Sequence, residues 1–137
     1  MMSLLKKIVI RKADVDVGLL VFRILAAGAL LKAHGLPKLL DIQASIAHIP
    51  DPLGFGGTFS TYYAIFTNVI CALCVAFGFL TRFAAFFIIT LTLSGLLLIH
   101  LHDPANIQDT PIIYSIVFGF IAYMGAGKYS LDHKFFK

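Results

Sequence analysis

Charge is scarce in this chain: Asp, Glu, Lys and Arg together make up 13% of its 137 residues, while 59% are hydrophobic. A soluble domain of this size carries about 25% charged residues. Because roughly half of each helix in such a domain faces water, the composition excludes an ordinary soluble helical protein. The apolar runs hold no acidic residue beyond Asp16 in the first turn of the first run, so no carboxylate is available at mid-run depth. Two of the connecting segments, Asp41–Thr58 and His102–Thr110, contain no Lys or Arg at all. No internal repeat and no low-complexity stretch is visible, so nothing divides the chain into units.

What is present is four long apolar runs, Val15–Leu40, Phe59–Leu80, Phe83–Leu101 and Pro111–Ala126. A hydrocarbon core of about 30 Å takes about 20 apolar residues in a helix. The sequence therefore predicts an all-α integral membrane protein, an antiparallel bundle of four transmembrane helices forming one domain over residues 1–137. Lys6, Lys7, Arg11, Lys12, Arg82, Lys128, Lys134 and Lys137 would all fall on one side, and Asp41, Asp51, Asp103 and Asp109 on the other. Cations in short loops favour the cytoplasm, which predicts cytoplasmic N and C termini. With its positive residues gathered there, the net charge of +4 implies no nucleic-acid partner.

Outside the runs, Met1–Lys12 reads as a segment lying on the inner membrane surface, with Leu4, Leu5, Ile8 and Val9 in lipid. Asp41–Ile49 has helical spacing of isoleucines and reads as a short interfacial helix. The Pro- and Gly-rich stretch Pro50–Gly57 cannot continue it; it is either a plain connector or a lid over the outer mouth of the bundle.

Ionisable groups within spans cost about 2.5–3.5 kcal/mol on insertion scales, so each needs a reason. In the first run, His34 falls about 20° and Lys38 about 60° around the helix from Arg23, placing all three on one inward face, while Lys32 points away. Arg23 has two readings: a bridge at the cytoplasmic end to Asp16 or Asp132, or a contact to an anionic or carbonyl-bearing ligand. Asn68 sits near mid-span, where a carboxamide either bonds a neighbouring helix or faces a ligand. His100 is expected at the depth of His34 and Lys38, where imidazoles either exchange protons or bind water. His100 and His102 are two residues apart and face different ways, so no metal site is expected. Cys71 and Cys74 have the spacing of a redox pair but lie among Ile70, Leu73 and Val75, where cysteine packs as a small apolar residue. Gly28, Gly35, Ser94, Gly95, Ser115 and Gly119 are the small residues expected to permit close helix contact.

Several stretches together carry a wider similarity: His34-Gly35-Leu36-Pro37-Lys38, Pro50-Asp51-Pro52-Leu53-Gly54, Gly78-Phe79-Leu80-Thr81-Arg82, His102-Asp103-Pro104, and Gly125 through Asp132. In this order they resemble the DoxX family of small four-span bacterial membrane proteins. The resemblance implies a multi-pass protein of the bacterial plasma membrane, and association with quinone-linked sulfur oxidation or with oxidoreductase complexes that handle thiol stress. It also admits a non-catalytic scaffold, since distant eukaryotic relatives look like membrane chaperones. An acidic residue common in the family's second helix is replaced here by Asn68. The resulting expectation is a small subunit or accessory factor of a membrane redox system. It would bind quinone or lipid in a cavity lined by Arg23, His34, Lys38, Asn68 and His100, with membrane lipid, redox proteins or a second copy of itself as partners. No residue is assigned a catalytic role.

Overall fold

A computed structural model describes all residues 1–137, and the chain is helical with no strands. Seven helices follow one another: α1 (Met2–Val9), α2 (15–40), α3 (Ile42–His48), α4 (Gly57–Phe77), α5 (Thr81–Ile99), α6 (Ala105–Met124) and α7 (Leu131–Phe135). The four long ones, α2, α4, α5 and α6, share a single apolar core. It includes Ala27 and Leu30 from α2, Cys71 and Val75 from α4, Ala85 and Ile88 from α5, and Phe118 and Ile121 from α6. Only 22 of 137 residues are buried, and the outer face carries exposed Val21, Leu25, Ile70, Phe83, Phe86, Leu97, Ile116 and Phe120. An outer surface that apolar needs lipid or protein against it. Helices α4, α5 and α6 are long and apolar enough to cross a membrane. Helix α2 is as long but more polar, with Asp16, Arg23, Lys32, His34 and Lys38 along it.

Local chemistry sets where each helix begins and ends. Asp14 caps α2, its carboxylate accepting from the amides of Asp16 and Val17 at 3.0 and 3.2 Å, which satisfies donors the first turn leaves free. Helix α4 ends at Gly78, whose φ of +71° is left-handed and favours glycine. A side chain there would also overlap the Arg23 guanidinium and Ser130. After the three-residue turn, the Asp132 carboxylate accepts from Leu80 and Thr81 amides at 2.6 and 2.9 Å, capping α5 from the far end of the chain.

Two boundaries differ from the sequence reading. Helices α4 and α5 turn at 78–80 rather than at 81–82, because the break is at the left-handed Gly78 and Leu80. Helix α6 begins at Ala105, just after Pro104, and not at Pro111. Pro111 sits inside it, where a missing N–H normally breaks a helix; nearby, the Ser115 hydroxyl donates to the Pro111 carbonyl at 2.7 Å and pairs with Thr92 of α5 at 2.8 Å. The glycines expected to mediate packing also divide. A Cβ on Gly35 would come 2.5 Å from the Asn68 carbonyl oxygen, so α2 and α4 meet backbone to backbone there, whereas Gly28, Gly95 and Gly119 have nothing within 4 Å.

Candidate functional site

Three of the four long helices widen into a π turn: Leu31–Gly35 in α2 and Phe66–Cys71 in α4, which meet where Gly35 packs on the Asn68 carbonyl, and Gly95–Ile99 at the outer end of α5. In α2 the Leu36 amide bonds the Leu31 carbonyl, five residues back, and in α5 the His100 amide bonds that of Gly95. Such turns shift the residues beyond them off the 3.6-residue phase and recur at functional sites. Here they carry His34 and Asn68 and lead directly into His100.

These residues surround a cavity of about 700 Å³ at the end of the bundle that bears α3 and the 49–56 segment. The volume lies within the range of small-molecule sites, about 300–1,000 Å³. His34, Lys38, Asn68 and His100 all line it. Asn68 is 3% exposed, and its Oδ1 has no hydrogen-bond partner. A buried polar atom left without one costs about 1–3 kcal/mol; Arg23 Nε, Thr61 Oγ1 and Thr81 Oγ1 share this condition, but of the four residues only Asn68 lines the cavity. The expected interhelical hydrogen bond from Asn68 is not made.

The other polar groups are held more firmly. His34 stands edge-on to Tyr114, ring centroids 5.5 Å apart. Lys38 Nζ turns back along its own helix to donate to the His34 carbonyl at 2.9 Å. His100 Nδ1 pairs with Asp103 Oδ2 at 2.6 Å. Gln108 then fastens that turn, its Nε2 donating to the carbonyls of His100, Leu101 and Asp103 at 2.8–3.1 Å. Tyr63 and Thr90 hydroxyls, 2.6 Å apart, join α4 to α5 on the wall. The roof is apolar: Ile49, Pro50, Leu53, Phe55 and Phe59. Asp51 folds this segment, accepting from Phe55 and Gly56 amides at 3.2 and 2.8 Å and from the Ser60 hydroxyl at 3.0 Å. The segment from 49 to 59 therefore contributes side chains to the wall of the cavity.

Arg23 is not part of this site. It lies 11 residues before His34, roughly 16 Å along the helix, completely buried at the opposite end. Its Nη2 donates to the Tyr129 carbonyl at 2.7 Å and its Nη1 reaches the Val75 carbonyl at 3.5 Å. Neither Asp16 nor Asp132 bridges it, since the one ion pair in the chain is His100–Asp103. Asp16 instead accepts from the Lys128 amide at 2.9 Å. Both acids and the arginine thus hold the returning tail to the bundle. Main-chain carbonyls supply the compensation that the sequence reading sought in a carboxylate or a ligand.

The cysteines form no disulfide and do not line the cavity; Cys71 is buried in the shared core and Cys74 packs against it. Tyr114, Thr90 and Gln108 were not singled out from sequence. The run of Thr90, Thr92 and Ser94 along one apolar helix was the available signal for a polar wall.

A bundle of this kind, apolar outside and with a pocket at one end that holds a few polar side chains, defines a membrane protein. The DoxX family model matches residues 18–101, which takes in α2 to α5 and nearly all of the cavity wall. The chain belongs to the DoxX family. No curated protein and no solved structure matches it.

Proposed function

We propose that this protein spans the bacterial inner membrane four times with cytoplasmic termini. In that membrane it binds the headgroup of a quinone in the cavity at the outer end, as a small subunit of a redox system. The single-sided placement of the eight loop and tail cations supports the orientation. Helix α2 completes the bundle because its inward polar residues face protein or the cavity, while Lys32 is exposed at its outer face and can snorkel.

The observation that carries the binding reading is the unpartnered, buried Asn68 carboxamide on the wall of a 700 Å³ cavity. A quinone fits this donor set. A carboxamide donates from Nδ2 to a ring carbonyl or accepts at Oδ1 from a ring hydroxyl, and His34, Tyr114 and Lys38 add donors around it. The quinone, when bound, supplies the two-electron chemistry. The chain's residues bind and orient it, pack Leu53, Phe55 and Phe59 along its apolar part, and hold a proton at His100. There Asp103 fixes the ring with Nδ1 toward the carboxylate, leaving Nε2 free to exchange.

Gly18 and Gly28 are exposed on α2 and unused by the bundle's own packing, which favours a second reading, a non-catalytic scaffold that receives a partner's helix. Lipid analysis of protein purified from its own membrane separates the two. Enrichment of quinone over bulk lipid, lost in Asn68→Leu and His34→Ala, supports the redox reading. A quinone content equal to bulk lipid in the wild-type protein rejects it in favour of the scaffold.

A further inference from the structure

The cavity wall carries one lysine, Lys38, that has no counter-ion. Among its 24 lining residues are His34, Lys38 and His100, and no Asp or Glu. Lys38, which lines the cavity, has one protein acceptor, the His34 carbonyl of its own helix, so two of its three N–H donors have no partner in the protein. The acids at this end are engaged elsewhere or too far away. Asp41 accepts from the Ala44 amide, Asp51 from the loop amides and Ser60, and Asp103 from His100. None of them, nor Asp109, lies within ion-pair distance of Lys38.

Simple snorkelling does not account for this arrangement. Lys32, on the same helix, is exposed on its outer face. Lys38 is only partly exposed, lines the cavity and folds back on its own helix. A lysine held in a largely apolar cleft without an anion loses hydration and gains no Coulomb attraction in return. The arrangement makes physical sense once an anion enters.

We propose that the ligand of this cavity carries a negatively charged oxygen on an apolar chain, with Lys38 as its counter-ion and Asn68 as its second polar contact. The apolar roof of Ile49, Leu53, Phe55 and Phe59 receives the chain. An ionised ring hydroxyl and an acyl carboxylate share this chemistry. All of this rests on the cavity being a ligand site, as proposed above.

The test is native mass spectrometry of the full chain in maltoside micelles, titrated separately with dodecanoate, dodecanol, a dodecyl-chain quinone and inorganic phosphate. Dodecanoate is expected to fill the site at a concentration at least tenfold below dodecanol. That preference disappears in Lys38→Met and returns in Lys38→Arg. Phosphate binding as tightly as dodecanoate, with the same Lys38 dependence, upholds the charge but overturns the requirement for a chain, making the source a free oxyanion. Equal binding of dodecanoate and dodecanol, or a preference that survives Lys38→Met, overturns the charged ligand while leaving the quinone reading intact if the quinone binds. Failure of all four probes overturns both.

Discussion

The Arg23 guanidinium of α2 holds the main-chain carbonyl of Tyr129 at 2.7 Å across 106 residues of sequence. Beside it, Gly78 leaves the space that the guanidinium fills, and Asp132 ties the same tail to the start of α5. The most buried charge in the protein is therefore spent on closing the chain, at the end opposite the cavity. Replacing it leaves the Tyr129 carbonyl bare, with a cost of about 1–3 kcal/mol. Arg23→Met is expected to lower the unfolding temperature and to expose residues 125–137 to limited proteolysis. Ligand occupancy per folded molecule is expected to stay unchanged. Loss of ligand at full stability would instead place Arg23 in the binding site.

Asp132→Ala removes both acceptors from the first amides of α5. Caps of this kind are worth about 0.5–2 kcal/mol. The expected signature in hydrogen exchange is faster exchange at Leu80 and Thr81, with the amides of Ile88 and Thr90 little affected.

Gly35 and Gly28 form a matched pair. A methyl group at Gly35 meets the Asn68 carbonyl oxygen, whereas one at Gly28 meets nothing. Gly35→Ala is expected to destabilise by about 1–3 kcal/mol, as overpacked sites do, and to disturb ligand binding because Asn68 moves. Gly28→Ala is expected to leave thermal stability within about 0.5 kcal/mol. Equal effects of the two in thermal unfolding would contradict the α2–α4 contact.

How much of this was legible in the sequence follows from what each signal depends on. Hydropathy depends on composition over many residues, so the four long helices could be read, and the inward stripe of His34 and Lys38 with them. Arg23 shared that stripe in angle, but angle carries no information on depth or on what the tail does 106 residues later. The Arg23 site depends on a backbone carbonyl, which every residue possesses, so no side-chain pattern announces it. Pro111 misled because proline at a helix start and proline inside a membrane helix look alike in sequence. The π turns were invisible for a related reason: they break the 3.6-residue phase on which a face-by-face reading relies.

Asn68 offers a separation of stability from binding. Its Oδ1 is unpaired in the protein, so Asn68→Leu removes an unsatisfied group of similar size and is expected to leave unfolding unchanged or raise it by up to about 1 kcal/mol. Ligand occupancy is expected to fall at least tenfold. A large loss of stability would mean that the carboxamide serves the fold.

Cys71→Ala/Cys74→Ala is expected to keep ligand occupancy, at a stability cost of about 1 kcal/mol from lost packing. Native-state maleimide labelling of the wild-type protein should leave Cys71 unmodified, as its burial requires. Loss of ligand occupancy in the double variant at unchanged stability would contradict the packing role.

The most direct measurement is electron density for the protein crystallised with its native lipids. An elongated ligand is predicted in the cavity beneath residues 49–59, its polar end within about 3.5 Å of the Asn68 carboxamide. A cavity closed by its own roof side chains, with Asn68 bonded to another helix, would contradict the account.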